Sequence, residues 1–396
     1  MSRHRIVQGL LLLGLTSAAC TEPARGSGTA DSAGTSADGA NGAGSSFEDA
    51  SADGRSGDRV APPDDVKALL WLDLSRKGSN QAASATWPGA QSAIWPGYAL
   101  HKVPTYLVIL GDKLKPVRGY LVGWPVPPLG ATAVTLPGLK DLAWRYDAGF
   151  IDIGAGERVI FDHEVAGTSA LVVTYSASRD QSDLEWIDRL GEQYMTRLRL
   201  VEAVWQPVAG CGQNKYPRFE HAIALLFLEC AVLAEAYAAK DPATAEQHMR
   251  EWSAVRQAAI DVTTLISKRT RHFDIDFGSA RFVAGRLVVA AGLRTRAWLD
   301  AERLAHLAKP WAVPFDAFDD VMLGNGEIGA AALEVAGRLG WDAEPSYRDT
   351  DNVFALVETK LGLPSADLVA GAKKRHDWAG FVARAQQIMQ LPGDGD

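Results

Sequence analysis

The sequence predicts an α+β protein in which a small N-terminal antiparallel or mixed β-sheet precedes a mainly helical body. Two observations predict it. Between residues 79 and 180, short runs of β-branched and aromatic residues alternate with turns rich in Trp-Pro and Gly. From Asp183 to the end, apolar residues instead recur every three or four positions, as they do on amphipathic helices. Strands first and helices second is the order typical of the α+β class.

The first twenty residues predict an export signal. Arg3 and Arg5 precede an apolar run from Leu10 to Leu15, which is too short to span a bilayer as a mature helix. Small residues then lead to Cys20, as in a bacterial lipobox, in which the cysteine is acylated and becomes the mature N-terminus. The prediction is a lipoprotein signal peptide over residues 1–20. An ordinary signal peptide cut nearby, or an unprocessed N-terminus, is the alternative.

Residues 21–62 predict a disordered tether, because they are rich in Gly, Ala, Ser and Asp and have almost no large apolar side chains. Residues 63–396 then form one predicted domain, β-rich over 63–180 and helical over 181–396. That domain carries a net charge of −6, in a chain of net charge −8. Because the charge is negative and the sequence has no nucleic-acid motif, nucleic acid is not expected as a partner.

The first predicted helix covers Val66 to Leu74, follows the N-capping pair Asp64-Asp65 and ends near Gly78. Five strand-sized runs come after it. Because short turns separate these runs, we expect a meander rather than β-α-β units. The predicted strands cover Thr105 to Leu110, Val117 to Val122, Thr132 to Leu136, Arg158 to Asp162 and Ser169 to Tyr175.

Helices are predicted from Asp183 onward. The first, Asp183 to Trp205, carries an apolar stripe at helical spacing. Pro217 and the pair Asp241-Pro242 mark the starts of the next two helices. Further helices are expected over Ser279 to Leu304, Glu327 to Leu339, Asp351 to Leu361, Ser365 to Ala372 and Asp377 to Met389.

The predicted helix Asp183 to Trp205 has Gly191 at its middle, where glycine costs about 1 kcal/mol relative to alanine. The order of elements, a small sheet followed by this helix and a long helical body, resembles that of the gluzincin group of zinc metallopeptidases. The resemblance is to bacterial envelope members in which a Trp-Pro-Gly-Tyr segment, here Trp95 to Tyr98, precedes the sheet. In that family the first helix carries H-E-x-x-H, whose histidines bind zinc while the glutamate acts as general base. A later helix supplies a third ligand from an E-G-x-A segment, so the resemblance implies a zincin-like fold.

On this sequence the first motif falls on Gly191-Glu192-Gln193-Tyr194-Met195 and the second on Ala284-Gly285-Arg286-Leu287. Only Glu192 and Gly285 match. The ligand positions hold Gly191, Met195 and Ala284, none of which binds zinc as histidine or a carboxylate would. The resemblance thus implies a degenerate site without metal, in which Glu192 is a vestigial general base. The implied binding positions are Gly191, Tyr194, Met195, Ala284 and Gly285.

The residues alone allow a simpler interpretation of this helix. Tyr194 and Met195 are then core residues, and Gly191 lets another element approach. Glu192 pairs on the surface with Arg189 or Arg199. Both interpretations agree that the helix holds no catalytic zinc.

Other patterns indicate chemistry only weakly. His163-Glu164 lies in a segment that reads as strand or turn rather than helix. Glu302 and His306 are four residues apart, a spacing that favours an ion pair over a shared metal. Residues 324–329 match G-x-G-x-x-G, but no buried strand is predicted before them, so a Gly-rich turn is expected rather than nucleotide binding.

If Cys20 is lipidated, Cys211 and Cys230 remain. In an oxidising envelope these two cysteines could form a disulfide. Cys230 also fits the apolar stripe of its own helix, where a buried free thiol is common. The sequence does not decide between a disulfide and two free thiols.

The sequence favours a lipid-anchored protein of the bacterial cell envelope, at its periplasmic or outer-membrane face, whose zincin-like domain lacks zinc ligands. Such a pseudoenzyme binds or scaffolds, with the membrane as one partner through Cys20 and a peptide or envelope protein as the other. No cofactor is predicted. The alternative is an active hydrolase, namely a divergent metallopeptidase with unrecognised ligands. Zinc is expected only under that alternative. A structural envelope lipoprotein unrelated to peptidases is the third interpretation.

Overall fold

The computed structural model describes nine ranges of the chain. They are 61–82, 94–95, 97–139, 142–147, 159–197, 219–262, 278–308, 325–341 and 353–390. The predicted signal peptide, Cys20, Cys211 and all of the predicted tether except its last two residues lie outside them.

The described residues contain a six-stranded mixed sheet. Its strands are β1 (Thr105–Leu110), β2 (Pro116–Val122), β3 (Thr132–Val134), β4 (Ala143–Arg145), β5 (Val159–Val165) and β6 (Thr168–Tyr175). Their order across the sheet is β3-β4-β2-β1-β6-β5. The pair β1 and β6 is parallel, and all other neighbours are antiparallel. The predicted antiparallel or mixed sheet ahead of a helical body is confirmed, and with it the α+β class. The predicted meander is wrong, because β4 lies between β3 and β2 and because β6 returns to pair with β1.

Alternating side chains give the sheet two apolar faces. In β1, Tyr106 and Val108 join a small buried cluster on one face, while Leu107 and Ile109 join the large cluster formed with the helices. All six residues of β1 are buried, as expected of a central strand covered on both sides. The sequence prediction missed β4, because it is only three residues long and has no β-branched run.

Ten α-helices lie among the described residues. They are α1 (Pro63–Ala82), α2 (Asp183–Arg197), α3 (Glu220–Ala238), α4 (Pro242–Val262), α5 (Ser279–Ala290), α6 (Arg296–Ala308), α7 (Asn325–Arg338), α8 (Val353–Leu361), α9 (Ala366–Arg375) and α10 (Trp378–Ile388). The central one is α3, which packs against α4, α6, α7 and α10. It is also the one described helix long and apolar enough to cross a membrane. However, 72% of that apolar stretch is buried inside the protein, as in a core helix.

The prediction of one helix over Ser279 to Leu304 is wrong, because the structure has two helices, α5 and α6, in this range. The chain leaves α5 through Gly292, whose φ of +77° lies in the left-handed region that glycine adopts without strain. The break lets Leu299 of α6 pack against Gly285 of α5. Gly292 therefore ends a helix rather than lying inside one.

The first helix, α1, continues through Gly78 to Ala82, beyond its predicted end. The lack of a side chain at Gly78 allows a close contact with α5. A methyl group at Gly78 would come within 2.8 Å of the backbone nitrogen of Ala291, at the end of α5. Other contacts lie next to Gly78 on the same helix. The buried guanidinium of Arg76 donates hydrogen bonds to the carbonyl oxygens of Leu100, His101 and Val103. Helix α1 thus joins the segment before β1 to the helical body.

Two buried glutamates connect helices of the body. Glu334 on α7 accepts two hydrogen bonds from Arg286 on α5, at 2.9 and 2.7 Å, and one from Arg296 on α6, at 2.7 Å. Burial alone would raise the pKa of Glu334, but the hydrogen bonds from Arg286 and the surrounding positive charge lower it to about 2. Glu229 on α3 pairs in a similar way with Arg256 on α4.

Candidate functional site

Helices α2 and α5 pack side by side, and two of the three positions at which the gluzincin resemblance would place zinc ligands meet there. A methyl group at Gly191 of α2 would come within 2.9 Å of the Cα atom of Ala284 on α5. These positions are therefore neighbours in space although they are far apart in sequence. The absence of a side chain at Gly191 allows this close approach, which explains a glycine in the middle of a helix.

The contact between Gly191 and Ala284 leaves no space for a zinc ion between the helices. Ligand atoms on both helices would each have to lie about 2 Å from the metal. Here the two backbones touch, and neither residue has a side-chain donor atom. The residues present do not fit zinc, and no chemical step through a metal follows from them.

Tyr194 and Met195 face the core. Their side chains are 0% and 1% exposed. The ring of Tyr194 packs edge-on against that of Tyr98, with ring centroids 4.8 Å apart, so the segment before the sheet packs onto α2. The interpretation of Tyr194 and Met195 as core residues is confirmed, and neither side chain is accessible to a ligand from the surface of this structure.

Gly285 lies on a different side of α5 from the contact with α2. A methyl group at Gly285 would come within 2.7 Å of Cδ1 of Leu299 on α6, with Arg303 of the same helix as its next neighbour. The structure therefore brings Gly191 and Ala284 together, and it directs Gly285 toward α6 instead.

Four charged side chains lie beside the contact between α2 and α5, and we call them the Arg281 cluster. Nη1 of Arg281, on α5, donates a hydrogen bond to Oδ2 of Asp188, at 3.0 Å, and Nε lies 2.8 Å from Oε1 of Glu192. Oε1 of Glu327, on α7, lies 3.8 Å from the same Nε. The four side chains are between 22% and 45% exposed, so the cluster opens to solvent.

The Arg281 cluster has three carboxylates for one guanidinium, so its carboxylates repel one another. Burial raises the pKa of Glu192 to about 7; Arg281 opposes this rise, and Asp188 and Glu327 add to it. Burial also raises the pKa of Asp188. The pKa of Arg281 is raised, because the three carboxylates outweigh its own burial. Glu192 therefore exchanges a proton near neutral pH, as a general acid–base group or a pH-sensitive cation-binding group would.

Glu192 has a partner, Arg281, that the sequence did not indicate. Sequence reasoning named Arg189 or Arg199, both close to Glu192 in the chain. Arg189 pairs instead with Asp180, at 3.2 Å, and Arg199 lies outside the described residues. Arg281 comes from a helix far along the chain, which no local spacing could indicate.

The other predicted residues do not join this site. Cys230 is a free thiol buried in α3, and burial raises its pKa. Cys211, its possible disulfide partner, lies outside the described residues. His163 and Glu164 lie on β5, at the edge of the sheet, so of the two expected forms, strand or turn, the strand is observed.

Sequence reasoning missed a second group of ionisable side chains. Glu235 on α3 and His248 and Glu251 on α4 bring possible ligand atoms within 4.8 Å of one another. Arg375 and His376, at the end of α9, complete the group. The one local signal was the spacing of three between His248 and Glu251, which places both on one face of a helix. Glu235 on α3 and the residues at the end of α9 lie too far away in the sequence to give such a signal.

Comparison with known proteins adds no assignment to these observations. No protein-family model, no curated protein and no solved structure matches this chain. A functional conclusion therefore depends on the contact between Gly191 and Ala284, on the Arg281 cluster and on the sequence of the N-terminal region.

Proposed function

We propose that this chain is a lipid-anchored cell-envelope protein whose zincin-like domain binds or scaffolds rather than hydrolyses. The contact between Gly191 and Ala284 carries the proposal. Two positions that the gluzincin resemblance assigns to zinc ligands touch through their backbones, and neither side chain binds a metal. Residues of these types would not hold the ion on which hydrolysis by zincins depends.

The proposed binding surface is the Arg281 cluster. When Asp188, Glu192 and Glu327 are ionised, they leave the cluster with an excess of negative charge. A partly exposed acidic surface attracts a cationic group, such as a lysine or arginine side chain of a peptide or envelope protein. The incoming cation would share the carboxylates that Arg281 now neutralises.

The membrane is the second proposed partner. The lipidated Cys20 would anchor the chain, and the tether over residues 21–62 would hold the domain clear of the bilayer. Because one acyl chain gives only marginal binding, stable anchoring requires the multiple acylation typical of lipoprotein cysteines. The domain would then face the periplasm or lie at the outer membrane.

Peptide binding and peptide hydrolysis, measured on the same sample, test the proposal. The full chain in detergent is titrated with two fluorescent peptides of equal length, one basic and one acidic, and mass spectrometry follows their integrity. We expect saturable binding of the basic peptide, weakened about fivefold or more in Asp188→Asn/Glu192→Gln, and no cleavage. The control is Glu185→Gln, which changes an exposed carboxylate on the same helix and should leave binding unchanged.

Cleavage that is lost in Glu192→Gln would instead support an active hydrolase. The near-neutral pKa of Glu192 favours this second candidate, because a general acid or base works best when its pKa is close to the operating pH. Such cleavage would disprove function by binding alone. Equal binding of the basic and acidic peptides would disprove the assignment of the Arg281 cluster as the binding surface.

A further inference from the structure

A separate group of side chains converges where α3, α4 and the end of α9 meet. Glu235 lies near the end of α3, while His248 and Glu251 lie one turn apart on α4. His376 directly follows α9. Helices α3 and α4 are consecutive and pack against each other, and α9 packs against both. The fold therefore brings two imidazoles and two carboxylates to one place.

Three distances between donor atoms of this group are close to those of a tetrahedral metal site. Nδ1 of His248 lies 3.4 Å from Oε2 of Glu235 and 3.1 Å from Oε2 of Glu251. Nε2 of His376 lies 3.4 Å from the same oxygen of Glu235. Ligand atoms about 2.0–2.1 Å from a tetrahedral zinc ion are about 3.3–3.4 Å from one another. An ion could thus be accommodated once Arg375, which lies between the two carboxylates, moves away.

His376, whose side chain is 16% exposed and whose Nε2 atom has Oε2 of Glu235 as a neighbour at 3.4 Å, gives a further indication of a ligand. Its Nε2 atom is buried and makes no hydrogen bond to any of the described residues. A buried polar atom without a hydrogen bond destabilises the folded state, so its presence needs a reason. The lone pair of a neutral imidazole nitrogen is the group that metal ions bind, so an ion would satisfy this atom.

We propose that Glu235, His248, Glu251 and His376 bind a divalent transition-metal ion of the zinc class. Imidazole and carboxylate together suit zinc and similar ions, whereas calcium and magnesium prefer oxygen ligands alone. This site is distinct from the Arg281 cluster and from the helix positions of the gluzincin resemblance. Its metal would join α3, α4 and the segment after α9.

The guanidinium of Arg375 now occupies the position in which the metal ion would bind. Its Nη2 atom is 3.0 Å from Oε2 of Glu235 and 2.5 Å from Oε2 of Glu251, between the two carboxylates. Because the Arg375 side chain is 40% exposed, it can move into solvent when an ion binds. The ion and Arg375 therefore compete for the same carboxylates, and removing the arginine should strengthen metal binding.

Titration of the full chain with Zn²⁺ and Co²⁺, after treatment with a chelator, tests the site. We expect one ion per chain, a cobalt absorption spectrum typical of tetrahedral coordination, and a higher melting temperature in zinc. Arg375→Ala should bind zinc about five- to tenfold more tightly, because a competing ion pair is lost. His248→Gln/His376→Gln should bind it at least about tenfold more weakly, because two ligands are lost.

The matched control is Glu302→Gln/His306→Gln, which removes another carboxylate and imidazole from one helix, α6, and should bind zinc as the wild type does. Circular dichroism checks that each variant keeps its helices. Absence of stoichiometric binding, or equal affinity in the wild type and His248→Gln/His376→Gln, would disprove the site. If that variant fails to fold, Arg375→Ala still tests the proposal, because unchanged or weaker zinc binding contradicts competition at these carboxylates.

Discussion

Gly191 of α2 and Ala284 of α5 are in backbone contact, and this contact sets the register of the two helices. Arg281 lies nearly one turn before Ala284 on α5 and is brought beside Asp188 and Glu192 on α2. The register that excludes zinc between the helices therefore also assembles the Arg281 cluster.

Gly191→Ala should destabilise the protein. The added methyl group would lie 2.9 Å from Cα of Ala284, closer than carbon atoms pack, so the helices would have to separate. We expect the free energy of unfolding to fall by about 1–3 kcal/mol in urea denaturation. The control is Gly371→Ala on α9, where a methyl group meets no atom within 4 Å and should stabilise by about 0.5–1 kcal/mol. Equal effects at both positions would contradict the contact.

The stability of the protein should depend on pH through Glu192. Its pKa is about 7 in the folded protein, against an ordinary value of 4.5, so the folded state binds this proton more tightly than the unfolded chain. The resulting stabilisation is fully present below about pH 4.5 and is lost as pH rises to about 7. Urea midpoints measured over this range should decline less in Glu192→Gln than in the wild type. An identical pH slope in both proteins would show that Glu192 is not responsible.

Glu334→Gln should be strongly destabilising at neutral pH. It leaves Arg286 and Arg296 without the carboxylate that both contact, and breaking a buried ion pair in this way costs about 3–5 kcal/mol. Glu302→Gln, on the exposed side of α6, should change the free energy of unfolding by less than about 0.5 kcal/mol. Because the pKa of Glu334 is lowered to about 2, its contribution is present above about pH 4.5 and is lost as pH falls toward 2. A difference between variant and wild type that persists after Glu334 is protonated would contradict this mechanism.

Cys230 should react slowly with thiol reagents in the folded protein. The residue is buried and its thiol pKa is raised by that burial, so little thiolate is available. Denaturation without reductant should make it reactive, as identified by mass spectrometry of the labelled peptide. A Cys230 that reacts only after reduction would instead establish a disulfide, with Cys211 as the expected partner.

Cys20→Ser should abolish membrane anchoring. If the cysteine carries the lipid, the variant loses incorporation of radiolabelled palmitate and the protein moves to the soluble fraction. Cys211→Ser is the control and should keep both the label and the membrane fraction. Label retained by Cys20→Ser would disprove lipidation at this residue.

Local patterns in the sequence were sufficient to predict most of the strands and helices. The strand Thr105–Leu110 was predicted with its exact ends, because turn residues bound a clear apolar run on both sides. Helix α10 begins as expected at Asp377, whose side chain accepts a hydrogen bond from the backbone nitrogen of Gly380. Both signals lie within a few residues of the element that they specify.

Contacts between distant elements could not be predicted in this way. Gly78, Gly191 and Gly292 all lie in helical patterns, yet the first two admit another backbone and the third ends a helix. What distinguishes them is the partner, which the local sequence does not specify. The same holds for Glu192, whose ion pair with Arg281 joins two helices far apart in the chain.

The parallel pairing of β1 with β6 has a consequence for the order of folding. Strands β1 to β4 are close in sequence and pair antiparallel, so they can form early, whereas β6 returns to β1 only after a long intervening segment. Until β6 arrives, the apolar strand β1 has an open hydrogen-bonding edge to which another chain could add. We therefore expect closure of the sheet to be slow and the incomplete sheet to be the state most prone to aggregation.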